Sequence, residues 1–182
     1  MRQLGIVLLL LAGLLGAPAS ARASGEHQSA DSATVTSVTA SQLIRQAGYP
    51  LTDAEAAYLD ADQAVGQQYA TAIGQVMALG SPGSGLPDAT MQPALVAVLQ
   101  RLVALDPAAT PEAPDSLQSL RALAVEQRQA MQRAATAWLT ALQAGDPNWF
   151  QAGADDFAAA SQALQSWQQD FAARYPPPQE QP

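Results

Sequence analysis

The sequence predicts an all-α protein, an up-and-down bundle of about four helices with a C-terminal antiparallel heptad hairpin. Three observations carry this. Apolar residues recur every three or four positions through long segments. Clusters of Gly, Pro and Ser punctuate those segments. The one strand-like alternation, Thr34-Val35-Thr36-Ser37-Val38-Thr39, has no partner strand elsewhere in the chain.

Residues 1–23 read as a secretory signal peptide. Met1-Arg2 gives a positive start, Ile6 to Leu15 an apolar core, and Ala19-Ser20-Ala21 and Ala21-Arg22-Ala23 two small-residue cleavage sites. The apolar core is shorter than the ~20 residues a bilayer span requires, which makes a permanent anchor the weaker alternative. No cysteine follows it to accept a lipid. The expectation is therefore an exported protein, periplasmic or extracellular, without stable membrane insertion after cleavage. Residues 24–40 are rich in Ser, Thr and Ala and read as a flexible linker.

The bundle is expected over residues 41–175. A short helix from Ser41 to Ala47 should stop at Gly48-Tyr49-Pro50. Thr52-Asp53-Ala54-Glu55 is a capping box, in which hydroxyl and carboxylate satisfy free N–H groups of a first turn. The long helix it starts carries Tyr58, Ala61, Val65, Tyr69, Ala72, Val76 and Leu79 as its inward stripe. Gly66, Ala70, Gly74 and Ala78 fall every four residues on an adjoining ridge. Glycine costs up to ~1 kcal/mol in a helix interior, so the ridge should return something: close helix approach, or a groove at Gly66 and Gly74 for a small apolar ligand. After a loop at residues 80–88, a helix over 90–105 carries Met91, Leu95, Val98, Leu102 and Leu105 on one face. If that stripe is uncovered, Met91, Leu95 and Leu102 form an interaction surface.

A second loop holds Pro107, Pro111 and Pro114. From Asp115, read as an N-cap, a stripe runs Leu117, Leu120, Ala124, Gln127, Met131, Ala134, Trp138, Ala141. Gly145 ends it, and Asp146-Pro147 should restart a helix in cap-then-proline order. Its stripe is Phe150, Gly153, Phe157, Ala160, Leu164, Trp167, Phe171, Arg174, at heptad spacing. Folded as an antiparallel hairpin, the pair places Trp138 near Ala154, Trp167 near Ala124, Phe157 at Ala134 or Ala135, and Phe171 at Leu120. Trp149 sits one position off the stripe, as a staple of the turn or an exposed contact. Pro176-Pro177-Pro178 begins a short tail, residues 176–182.

Without residues 1–23 the chain keeps six arginines against sixteen acids, a formal charge of −10. That balance disfavours nucleic acid and anionic membrane surfaces as partners. The lysine-free, Ala- and Gln-rich composition reads as the bias of a GC-rich bacterial genome, or else of a salt-adapted proteome. The missing side chains also narrow the chemistry. No Cys removes thiol nucleophiles, disulfides, iron–sulfur clusters and finger-type zinc. No Lys removes Schiff bases and P-loop phosphate binding. The single histidine, His27, falls in the linker, where nothing holds it against a serine or a metal. Met77, Met91 and Met131 sit at core positions as gap fillers, not haem or copper ligands.

Carboxylates remain. Asp60-Ala61-Asp62 and Asp155-Asp156 are the close pairs, but neighbours one or two apart on a helix diverge, and solvated helix faces are the expectation for both. Two carboxylates can hydrolyse a glycoside, though such a site needs a cleft with aromatic platforms, and here the aromatics follow the core stripe. Leu51-Thr52-Asp53-Ala54-Glu55 resembles the L-T-x-x-Q motif of small periplasmic helical chaperones related to Spy, once and with Glu for Gln; the resemblance implies a helical, chaperone-like binding protein. No catalytic residue, cofactor or metal site is expected. The reading that follows is a non-catalytic bundle acting through protein contacts or self-association, with Met91, Leu95, Leu102 and Trp149 as its candidate surface.

Overall fold

The computed structural model describes residues 38–80 and 85–176. The signal peptide, His27, nearly all of the linker and most of the tail lie outside these residues. Among the described residues the chain is helical, with five α-helices and no strand. They are α1 (Ala40–Gln46), α2 (Asp53–Gly80), α3 (Gln92–Ala104), α4 (Gln118–Gln143) and α5 (Ala154–Arg174).

Local chemistry sets each boundary. Thr39 and Gln42 form a capping box that starts α1 at Ala40, so the helix takes the last residue assigned to the linker. The Thr52 capping box is present: Glu55 N donates to Thr52 Oγ1 at 3.2 Å and Thr52 N to Glu55 Oε2 at 2.8 Å. Helices α1 and α4 both end in Schellman closures on glycines of positive φ. Tyr49 N bonds Ile44 O behind Gly48 (φ 92°), and Asp146 N bonds Ala141 O behind Gly145 (φ 71°).

Two starts differ from the sequence reading. Asp115 does not cap: it opens a 3₁₀ turn, Asp115–Leu117, closed by Leu117 N on Pro114 O at 2.8 Å. Helix α5 does not start at Pro147. Asp146 folds residues 146–149 into a turn, a 3₁₀ segment spans Trp149–Gly153, and α5 begins only at Ala154. Within this segment the Trp138 indole Nε1 donates to Phe150 O at 2.8 Å.

Consecutive long helices alternate in direction. Gly80 lies against Leu95 and Tyr69 reaches Leu105, so α2 and α3 are antiparallel. Ser119 meets Asp170 and Arg133 meets Asp156, so α4 and α5 are antiparallel too, with the most extensive contact in the molecule. At the turn the register is within one residue of the expected one. Trp138 sits over Gly153, where an added Cβ would lie 2.5 Å from its Nε1, and stacks on Phe150 at 4.9 Å with Phe157 at 5.7 Å. Phe171 and Leu120 share a cluster, as the heptad register requires.

The core is in two parts. One contains Tyr69, Val76, Leu95, Leu99, Leu102, Met131, Ala134, Trp138 and Trp149, built from α2, α3, α4 and the hairpin turn. The other contains Ile44, Tyr58, Leu59, Leu117 and Leu120, with Trp167 and Phe171 against it. Helix α3 serves the first and α1 the second, so two short helices share the work of one long one.

Candidate interaction surface

Of the residues expected to form a contact face, the structure exposes one. Met91 is 48% exposed, but Leu95 and Leu102 are 0% and Trp149 1% exposed. The stripe on α3 is covered because it faces the first core, between α2 and α4. Trp149 is the staple of the turn: its ring packs edge-on against Trp138 with centroids 6.3 Å apart, and its Nε1 donates to Gly85 O at 3.1 Å. These three residues are core and carry no surface.

The glycine ridge also resolves differently. Gly66 is partly buried, whereas Gly74 is exposed and a Cβ added there would meet nothing within 4 Å. No groove opens at Gly74. The close approaches are made elsewhere: an added Cβ at Gly80 would lie 2.7 Å from the Trp149 ring, and Gly153 lies under Trp138. The methionines divide, with Met131 in the core, Met77 partly buried and Met91 at the surface.

The residue missed by pattern reading is Arg128. The sequence placed Gln127 inward, where it is half-buried, and Asp62 on a solvated face, which is corrected. Arg128 is 2% and Asp62 5% exposed, and the Arg128 guanidinium bonds Asp62 Oδ1 at 2.6 Å and Asp62 O at 3.1 Å. Burial pushes the Asp62 carboxyl above the ordinary aspartate range, with the charge and hydrogen bond of Arg128 pulling the other way. Tyr58, one turn earlier on α2, has a buried hydroxyl without a hydrogen-bond partner among the described residues, and burial raises it well above the ordinary tyrosine value. Burial likewise holds the Tyr69 hydroxyl at about 12. The signal for Arg128 was its place four residues after Ala124 and three before Met131, on the buried arc.

Asp60, Asp156 and Glu55 are also engaged, whereas Asp155 is exposed and has no ion pair or side-chain hydrogen bond among the described residues. Asp60 accepts from Ser41 N at 2.9 Å and Ser41 Oγ at 2.7 Å, tying α1 to α2. Asp156 pairs with Arg133 at 2.8 Å. Glu55 of the chaperone-like motif closes its cap and accepts from Ser116 Oγ at 2.6 Å; with Ser116 the largest cause, these bonds lower its carboxyl below the ordinary value. Among the described residues no group of three or more His, Cys, Asp or Glu is placed to hold a metal ion, and no helix is long and apolar enough to cross a membrane.

Two surface features remain. The first is the exposed large apolar side chains, Leu86 (43% exposed) and Met91, two residues of the segment between α2 and α3, with Val38 (47%) ahead of α1. The backbone between α2 and α3 is held: Gly85 O by Trp149 Nε1, and Met91 N by Asp88 O at 2.8 Å. Leu86 carried no sequence signal, because it stands alone among Gly, Ser and Pro. The second is an open trough of about 310 Å³ between α2 and α3, lined by Ala64, Gln67, Gln68, Thr71, Arg101 and Leu105 among others. Compared with protein-family models, curated proteins and solved structures, the chain matches none.

Proposed function

We propose that the protein is an exported, non-catalytic helical bundle that acts by non-covalent contact with a protein of the cell envelope or with a second copy of itself. The observation that carries this is the Leu86–Met91 pair. Both are large apolar side chains left in water, beside a core hydrogen bond at Gly85 O and a local turn at Met91 N, and burial against a partner would stabilise them by roughly 25 cal/mol per Å² of apolar surface covered. The same reading is supported by the use of the polar side chains. Asp62, Arg128, Asp60 and Glu55 serve as internal struts, which leaves them occupied rather than facing a cleft.

Two measurements test it. The mass of the protein recovered outside the cytoplasm should correspond to an N-terminus at Arg22 or Ser24; an uncleaved chain retained inside the cell would refute export. Light scattering and sedimentation of that material should show self-association or a co-purifying partner. The double change Leu86→Ser and Met91→Ser should abolish it while leaving the urea midpoint in place. Association untouched by the double change would refute the assigned surface.

A further inference from the structure

We infer that the trough between α2 and α3 captures the C-terminal carboxylate of a peptide, with Arg101 as the anchoring charge. The site is distinct from the apolar pair, since Arg101 lies ten residues from Met91 along α3, about 15 Å at 1.5 Å per residue, and the inference does not depend on that pair.

Arg101 stands apart from the other arginines. The described residues contain six, and four are ion-paired: Arg45 with Asp53, Arg128 with Asp62, Arg133 with Asp156 and Arg174 with Asp170. Arg121 turns its Nε into the interior. Arg101 is exposed and meets no carboxylate among the described residues, in a chain of net charge −8. A basic residue in the last turn of a helix ordinarily serves the free carbonyls there. In α3 that role is filled by others. Val103 O accepts from Gln132 Nε2 at 3.0 Å, and Leu105 O accepts from both Gln132 Nε2 and Tyr69 Oη, the latter at 3.3 Å. Among the described residues, Arg101 is left with neither a carboxylate nor a helix-end carbonyl.

Its surroundings define the ligand. The lining contributes no acidic group; around Arg101 it offers the Gln67 and Gln68 amides and the Thr71 hydroxyl, with Ala64, Ala72 and Leu105 as apolar floor. A guanidinium presents a fork of N–H donors that matches a carboxylate. Primary amides and a hydroxyl both donate and accept, which suits the N–H and C=O of a peptide's last residues; an alkyl carboxylate would leave them unmatched. The volume lies at the lower end of small-ligand sites, ~300–1,000 Å³, and suits one or two terminal residues with small apolar side chains.

The test is a titration of the ¹⁵N-labelled mature protein, followed by amide and Arg side-chain shifts, with N-acetyl-Ala-Leu, its C-terminal amide, and hexanoate. Saturable shifts should centre on Gln67, Gln68, Thr71 and Arg101 with the free acid. The amide and the Arg101→Gln variant should each bind at least about tenfold more weakly, the loss of a charge-assisted hydrogen bond. Shifts that never saturate, equal binding of acid and amide, or binding unchanged by Arg101→Gln would overturn the site. Hexanoate binding as tightly as the peptide would overturn the peptide as its occupant.

Discussion

At the scale of single residues, the Asp62–Arg128 pair decides more than any other contact. It ties α2 to α4 through a buried ion pair. Removing only the cation strands a buried carboxylate, so Arg128→Met should cost ~3–5 kcal/mol in urea unfolding at neutral pH. Asp62→Leu combined with Arg128→Met should recover most of that loss, since a matched apolar pair carries no desolvation cost. The pH dependence has a definite sign. Burial raises the folded Asp62 carboxyl above its unfolded value of 3.8, so the folded state holds this proton more tightly than the unfolded chain. The stability this group contributes is full below about pH 3.8 and declines as pH rises through the elevated folded value. Asp62→Asn does not titrate, so the urea midpoint of the Asn variant minus that of wild type should grow with pH across that window. A difference that is constant from about pH 3 to 7, or that shrinks, would show the carboxyl is not raised.

At the scale of elements, glycine is the clearest probe, because two glycines in apparently similar places have opposite roles. Gly153, the last residue of the 3₁₀ segment before α5, lies under Trp138, with an added Cβ 2.7 Å from Ala134 O and 2.5 Å from Trp138 Nε1. Backbone and a buried indole cannot yield as a surface chain can, so Gly153→Ala should destabilise by ~1–3 kcal/mol. Gly74 stands mid-helix in open space. There an alanine adds only helix propensity, and Gly74→Ala should stabilise by ~0.5–1 kcal/mol. Thermal unfolding of the two variants beside wild type checks both signs at once. The sequence read the spacing of Gly66 and Gly74 correctly as a ridge, yet spacing alone does not say whether a neighbouring helix covers it.

At the scale of the whole molecule, much of the architecture was legible in the sequence. The helices at Thr52, 90–105 and the C-terminal hairpin, and the Gly48 and Gly145 stops, follow from period, caps and loop composition, which are local. What was not legible depends on partners distant in sequence. Leu95 and Leu102 form an apolar stripe whether α3 is covered or not, and only the position of α2 and α4 shows that it is. Arg128 reads as a surface charge until Asp62, 66 residues away, is brought beside it. Trp149 reads as a turn residue until its indole finds Gly85 and Trp138. The candidate surface therefore shrank from four residues to one, Met91, and gained Leu86, whose neighbours in sequence gave no hint of it.

The proposed role of the bundle rests on the apolar pair between α2 and α3. A photo-reactive phenylalanine analogue at position 91, irradiated in intact cells, tests it most directly beside the same analogue in place of exposed Gln129 on α4. One discrete adduct is expected at position 91, of fixed mass and lost when Leu86 is changed to Ser, and none at position 129. Equal, diffuse labelling from both positions would contradict it.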